Sequence, residues 1–121
     1  MQSVSELRAA CAALAHTQET FPFGAQTLVF KVGGKMYALC DITRDDLSVS
    51  LKVRPEHGDE LRATSPAITP AHHLNKRHWV TLRLDGELPG ALVAELLRGS
   101  YDLVWRGLTR AVRAELEGTE P

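Results

Sequence analysis

LSVSLKVR, residues 47–54, alternates apolar and polar side chains without interruption. This period of two is that of a β-strand with one face in a hydrophobic core and the other in solvent. Two earlier strands are predicted over Thr27–Val32 and Lys35–Cys40, because Gly33-Gly34 between them suits a tight hairpin turn. A further alternating segment spans His78–Leu84. The chain is therefore expected to build its core on one face of a β-sheet.

Helical segments flank the predicted strands. Ser3 and Glu6 have capping-box spacing, so a first helix is expected over about residues 5–15. Pro55 suits the first turn of a second helix that runs to about Ala63. The remaining predictions are a short strand over Ala71–Leu74, an amphipathic helix over Leu88–Arg98 with Gly99 as its C-cap, a helical segment over Tyr101–Leu108 capped by Ser100, and a last one from Thr109 to Glu117.

These elements predict an α+β fold with the order α-β-β-β-α-β-β-α-α. Short connections favour antiparallel neighbours, so we expect a two-layer sandwich with helices on one face of an antiparallel sheet. The length of 121 residues fits one domain, expected over residues 1–117, with a frayed tail over 118–121. Phe21-Pro22-Phe23-Gly24 is expected to form a rigid, anchored loop.

Composition excludes several classes of protein. Lys and Arg number 14 against 15 Asp and Glu, which gives a net charge of −1 and excludes a uniformly basic, histone-like binder. Apolar runs are far shorter than the ~20 residues of a membrane helix, and the N-terminal segment does not resemble a signal peptide. The two cysteines, Cys11 and Cys40, are interpreted as buried thiols. A cytoplasmic protein without membrane contact is expected.

The charged residues on the predicted outward strand positions all carry the same sign. These positions hold Lys31, Lys52, Arg54 and Arg83, whereas carboxylates concentrate on the predicted helices. The turns add further basic and polar groups. A basic sheet face is thus expected to bind an anionic partner, and the candidate nucleic-acid-binding residues are Lys31, Lys35, Lys52, Arg54, His73, Asn75, Lys76, Arg77, His78 and Arg83. The alternative is a solvated face that carries cations for solubility. In addition, a one-residue error in the predicted strand register would place these side chains on the opposite face of the sheet.

Metal binding and catalysis are not predicted. His72 and His73 are neighbours in a predicted strand and would point to opposite faces, so they do not suit a shared metal ion. Gly33-Gly34-Lys35 leads into a strand rather than a helix, unlike a phosphate-binding P-loop. Ser48, Ser50 and the histidines lack a nucleophile-elbow context. No cofactor, metal ion or catalytic residue is therefore expected.

Six segments resemble the MmcQ/YjbR family of small bacterial proteins. They are FPFG (21–24), LVFKVGGKMYAL (28–39), SLKVRPEHGDELR (50–62), PAHHLNKRHW (70–79), LDGELP (84–89) and SYDLV (100–104). The resemblance spans nearly the whole chain and implies a compact α/β fold of the secretion-chaperone or frataxin type. It also implies DNA binding, through a double-wing arrangement of β-hairpins. His72 departs from the family, where a tyrosine is expected, and would make stacking at that position weaker and sensitive to pH.

Two functions from different classes follow. In the first, Gly33–Lys35 and Asn75–His78 act as wings that grip DNA phosphates, and Trp79 is a candidate for stacking on a base. In the second, the open sheet or an edge strand accepts a protein segment around Trp79 and Val29. A small anionic ligand held by the basic cluster is a third possibility. The chain is expected to be a monomer.

Overall fold

A computed structural model describes residues 1–72 and 74–118 of the chain. Within these residues the chain forms four helices and six strands. The helices are α1 (Val4–Ala12), α2 (Pro55–Thr64), α3 (Gly90–Gly107) and α4 (Arg110–Leu116). The strands are β1 (Gln18–Thr20), β2 (Thr27–Val32), β3 (Lys35–Asp41), β4 (Ser48–Lys52), β5 (Ile68–Pro70) and β6 (Trp79–Arg83).

The strands form one antiparallel sheet in the order β1-β2-β3-β4-β6-β5. The alternation in β4 works as predicted: Val49 and Leu51 are fully buried, whereas Ser48, Ser50 and Lys52 are half-buried. The core joins the buried sheet positions to the apolar stripes of α1, α2 and α3. The predicted α+β sandwich is thereby confirmed, with one strand more than expected.

The additional strand, β1, forms one edge of the sheet. Gln18, Glu19 and Thr20 pair with β2, although none of the three is buried. No period of two predicts this strand, because a three-residue polar edge strand has no apolar side chain to place in the core.

At the opposite edge the predicted strand over Ala71–Leu74 is wrong in position. The strand is Ile68–Pro70, where Ile68 pairs with Leu82 and enters the core. Pro70 ends it, as suits an edge strand that makes hydrogen bonds on one side only. Part of the predicted segment, His73, lies outside the described residues.

The prediction that a helix ends at Gly99 is also wrong. Helix α3 continues through Gly99 and Ser100 to Gly107, because its buried stripe continues to Tyr101 and Val104. Ser100 is fully buried and binds the sheet instead of capping a helix. A glycine in the middle of a helix marks an end only when the apolar stripe stops there.

Helix α1 begins as the sequence predicts but ends earlier. Ser3 caps α1, since its hydroxyl accepts a hydrogen bond from the Glu6 amide at 3.1 Å, but the helix ends at Ala12.

The expected anchoring of the aromatic loop is wrong, because Phe21 and Phe23 are 47% and 68% exposed. Of the proposed tail, residues 119–121 lie outside the described part of the chain. No helix in the described part is long and apolar enough to span a membrane.

Candidate nucleic-acid interface

Three chain segments bring basic residues to one end of the sheet. They are the β2–β3 hairpin, the end of β4, and the turn before β6. Lys52 pairs with Trp79 across β4 and β6, and the Val53 amide donates to the His78 carbonyl at 2.8 Å. Here the term basic end denotes the cations that these segments carry: Lys31, Lys35, Lys52, Arg54, Lys76 and Arg77.

The basic end carries uncompensated positive charge. Within residues 1–72 and 74–118, no carboxylate lies within 4.0 Å of a charged nitrogen of these six side chains. Lys35, Arg54, Lys76 and Arg77 are exposed, whereas Lys31 and Lys52 are half-buried on the face opposite the core. Six of the ten sequence-predicted residues therefore form an available cationic surface.

The turn before β6 is shaped by Asn75. Its side-chain oxygen accepts a hydrogen bond from the Arg77 amide at 2.9 Å, and its carbonyl accepts one from the His78 amide at 3.1 Å. This arrangement is an Asx turn. Because both bonds are local, Asn75 holds the turn in shape, while the exposed side chains of Lys76, Arg77 and His78 extend into solvent.

The tip of the β2–β3 hairpin, which is the other expected wing, is not free to contact DNA along its whole length. Gly33 and Gly34 form the hairpin turn at φ +60° and +81°. A Cβ atom on Gly33 would lie 2.7 Å from Leu108 Cδ1 and 3.2 Å from Val112 Cγ1. Gly33 therefore packs against the C-terminal part of the chain, whereas Gly34 and Lys35 remain exposed.

Arg83 does not join the basic end. It pairs with Ser48 at the other end of β4 and β6. Its guanidinium donates to Asp85 Oδ2 at 2.6 Å and also bonds Glu87 Oε2. These hydrogen bonds raise the pKa of Arg83, with the contribution of Asp85 the largest. The expectation that Arg83 contributes to a positive floor is therefore wrong, because two carboxylates hold its charge.

The middle of the open sheet face is uncharged. One cross-strand row runs over all six strands through Thr20, Val29, Leu39, Ser50, Thr81 and Thr69. Ser50 and Thr81 share a hydrogen bond of 2.8 Å within it. The predicted basic face is thus reduced to one end. Val29 and Trp79 are 0% and 8% exposed, so neither offers the apolar contact or the stacking surface considered above.

The histidines are dispersed. His72 is exposed and lines a shallow cavity with Arg44, Ser48 and Arg83, away from the basic end. His73 lies outside the described residues. Within the described ranges no group of three or more His, Cys, Asp or Glu side chains has the arrangement of a metal site.

A cleft beside α3 is not indicated by the sequence. A cavity of about 430 Å³ lies between the β4–α2 connection and α3, and a second of about 300 Å³ lies between the starts of β3 and β6 and the same helix. Lys52 and Leu103 line both cavities. His57 and Arg106, which sequence reasoning did not select, line the larger one. Dividing α3 at Gly99 separates Gly99 from Arg106, so the sequence does not place them on one helix beside the sheet.

The chain is similar to proteins of one family. The family model named YjbR matches residues 12–103. The uncharacterized protein YbdF of Escherichia coli O157:H7 is 34% identical over 90 residues, which cover 74% of each chain. The uncharacterized protein YjbR of Escherichia coli strain K12 is 32% identical over 99 residues, which cover 82% of this chain and 84% of that protein.

Two solved structures share the fold. The crystal structure of Deinococcus radiodurans protein DR2400, a DUF419 domain, is 56% identical with a TM-score of 0.91, covering 99% of this chain and 91% of that one. The crystal structure of a Pseudomonas syringae protein is 28% identical with a TM-score of 0.74, covering 84% of this chain and 98% of that one.

Proposed function

The chain belongs to the YjbR family, and from that premise we propose that it is a non-enzymatic protein that binds duplex DNA through its phosphates. The observation that carries the proposal is the basic end, where six cations without ion-pair partners in the described part of the chain come from three separate segments. Lysine and arginine that neutralise phosphates gain affinity from the release of counterions.

The dimensions of the basic end suit duplex DNA. Neighbouring strands lie about 4.8 Å apart, so Lys31 on β2 and the turn before β6, three strands away, are separated by about 14 Å. The major groove of B-DNA is about 12 Å wide. Cations at the two sides of the basic end would therefore reach phosphates on both strands of the duplex.

Binding would be independent of sequence. Trp79, the aromatic residue nearest the cations in β6, is buried and does not offer a stacking face. The side-chain oxygen of Asn75 accepts a hydrogen bond from the Arg77 amide, so the Asn75 side chain is poorly placed to read a base edge. Contacts to phosphates fix position but carry no direct sequence information. We therefore assign this surface to the DNA backbone rather than to a cognate site.

Fluorescence anisotropy with a labelled duplex at several salt concentrations tests the proposal. If about five phosphates are neutralised, log K falls against log salt with a slope of roughly −4 to −5. Lys76→Ala combined with Arg77→Ala removes two cations of the basic end and should weaken binding and reduce the slope by about 2.

The matched control is Arg44→Ala combined with Arg83→Ala. It removes the same formal charge, but both guanidinium groups are held by carboxylates outside the basic end. We expect this control to bind as the unmodified protein does. Equal affinity of the two double variants, or unchanged binding in Lys76→Ala with Arg77→Ala, contradicts the proposal. Partner binding that persists at high salt would instead favour a protein ligand.

A further inference from the structure

The two cavities beside α3 are neighbours, because Lys52 and Leu103 line both of them. Together they are called the cleft, with a larger and a smaller compartment. The larger compartment is lined by the β4–α2 connection and α3, and the smaller by the starts of β3 and β6 and the end of α3. Each compartment is near the lower size limit of small-molecule sites, which have volumes of about 300–1,000 Å³.

The smaller compartment lies where β3 and β4 separate. Their register extends only over Ala38↔Leu51 and Leu39↔Ser50. Beyond Ala38 the Ser100 hydroxyl donates to the Tyr37 carbonyl at 2.5 Å and accepts from the Lys52 amide at 2.8 Å. Helix α3 thereby closes the gap from below and becomes the floor of the cleft.

The floor of the cleft is open because two of its residues, Gly99 and Gly107, have no side chain. Gly99, Leu103 and Gly107 follow one another at intervals of four residues and share one face of α3. A Cβ atom at either glycine would meet nothing within 4 Å. Packing against the rest of the protein therefore does not require glycine at these positions. Their effect is to leave space for a ligand in the cleft.

The two compartments differ in chemistry. Lys52, Arg54 and Arg106, together with His57, surround the larger one. Its carboxylates are Glu95 and Asp102, and Asp102 Oδ1 accepts from Arg98 at 3.2 Å. Positive charge is therefore in excess there. The smaller compartment has apolar walls, formed by Met36, Trp79, Leu103 and Val104, with Lys35 and Lys52 as its charged members.

We propose that this cleft binds a nucleoside monophosphate, with the phosphate in the larger compartment and the base in the smaller. The basic side chains around Lys52 suit a phosphate dianion, and the apolar side chains of Met36 and Leu103 suit a planar ring. The choice of a nucleotide rests on the proposed function. The two sites share Lys35, Lys52 and Arg54. They can still be tested separately, because Gly99 and Arg106 belong to the cleft alone, whereas Lys76 and Arg77 belong to the DNA surface alone.

Isothermal titration calorimetry with deoxyadenosine 5′-monophosphate tests the cleft. We expect deoxyadenosine and inorganic phosphate each to bind at least about tenfold more weakly, since each fills one compartment. Gly99→Leu, which fills the open floor, and Arg106→Gln should each reduce affinity for the nucleotide about tenfold or more. Lys76→Ala with Arg77→Ala is the control and should leave nucleotide affinity unchanged.

The outcomes separate this inference from DNA binding. Nucleotide binding that survives Gly99→Leu and Arg106→Gln overturns the cleft, as does inorganic phosphate binding as tightly as the nucleotide, or no binding of the nucleotide at all. Gly99→Ala provides a milder variant if the leucine lowers the melting temperature. If the unmodified protein binds the nucleotide in the cleft but does not bind duplex DNA, only the proposed function is rejected.

A second comparison identifies the source of the nucleotide. A short single-stranded oligonucleotide is compared with and without a 5′-phosphate, beside the free nucleotide. Preference for the phosphorylated oligonucleotide supports recognition of a strand terminus, and binding of the free nucleotide alone supports a soluble ligand.

Discussion

The Ser100 hydroxyl accepts a hydrogen bond from the backbone amide of Lys52 at 2.8 Å. The same oxygen donates to the Tyr37 carbonyl at 2.5 Å, so one side chain from a helix replaces the ladder bond that β3 and β4 no longer make. Ser100 is 0% exposed. Since buried backbone groups need partners, this contact sets both the spacing of the strands and the position of α3.

Removing that hydroxyl should destabilise the protein. Ser100→Ala leaves the Lys52 amide and the Tyr37 carbonyl without their partner, and we expect a loss of about 2 kcal/mol in the free energy of unfolding. Urea denaturation measures it. The neighbouring Gly99→Ala is the matched control, because the space at Gly99 is open and alanine favours a helix. Equal stability of Ser100→Ala and the unmodified protein would show that Ser100 does not hold the strands.

The two hairpin glycines should differ in their tolerance of a side chain. Both have positive φ, so alanine at Gly33 or Gly34 costs about 1–2 kcal/mol of backbone strain. Gly33→Ala also meets Leu108 at 2.7 Å, whereas Gly34→Ala meets nothing within 4 Å. We therefore expect Gly33→Ala to lower the urea midpoint further than Gly34→Ala.

The contact between Gly33 and Leu108 can be isolated. In the Gly33→Ala background, Leu108→Ala relieves the clash, so it should cost less stability than it does in the unmodified protein. Additive losses in this double-mutant cycle would contradict the docking of the hairpin tip on the C-terminal helices.

Strands with an apolar side could be predicted from the sequence. β4 was predicted because Val49 and Leu51 must enter the core while Ser48 and Ser50 do not. β1 could not be, since its three polar residues are stabilised by pairing with β2 and not by burial. Helix α3 was divided because Gly99 satisfies a local rule for a helix end, whereas the contact that extends the helix comes from a strand far away in sequence.

Part of the candidate site could also be predicted from the sequence. Alternation places Lys31 and Lys52 on the outward side, and this needs only local information. The neutralisation of Arg83 depends on how the chain turns after β6, where Asp85 and Glu87 return to it. The smaller compartment of the cleft lies where β3 separates from β4, and no period in either strand indicates that separation.

The carboxylate of Asp85 should make stability depend on pH in acid. The Glu87 amide and the Arg83 guanidinium lower the pKa of Asp85 below its usual 3.8. A lowered pKa in the folded state stabilises the fold above the unfolded pKa and is lost as pH falls through the folded one. Asp85→Asn should therefore lower the melting temperature at pH 7 and lose this effect near pH 2. Glu115→Gln, at an exposed carboxylate without an ion pair in the described ranges, is the control. A melting-temperature difference that persists unchanged at pH 2 would contradict the pairing.

The two thiols should be inert until the protein unfolds. Burial raises the pKa of Cys11 to about 12 and that of Cys40 to about 11. Thiolates are the reactive species, so labelling with a disulfide reagent at pH 8 should occur at the rate of global unfolding and accelerate in urea. Rapid labelling in native buffer would show that one of the thiols is accessible.

The same shifts predict a loss of stability in alkali. A raised folded pKa stabilises the protein below the unfolded value, near 9.0 here, and that stabilisation declines as pH rises from 9.0 toward the folded values of about 11 and 12. Cys11→Ala with Cys40→Ala should lower stability at pH 7 through lost packing, yet flatten its decline between pH 9 and 11, as followed by urea denaturation. Burial also raises the pKa of the Tyr37 phenol, which this variant retains, so a residual decline is expected. If the double variant instead declines as steeply as the unmodified protein, the thiols do not stay protonated in the native core.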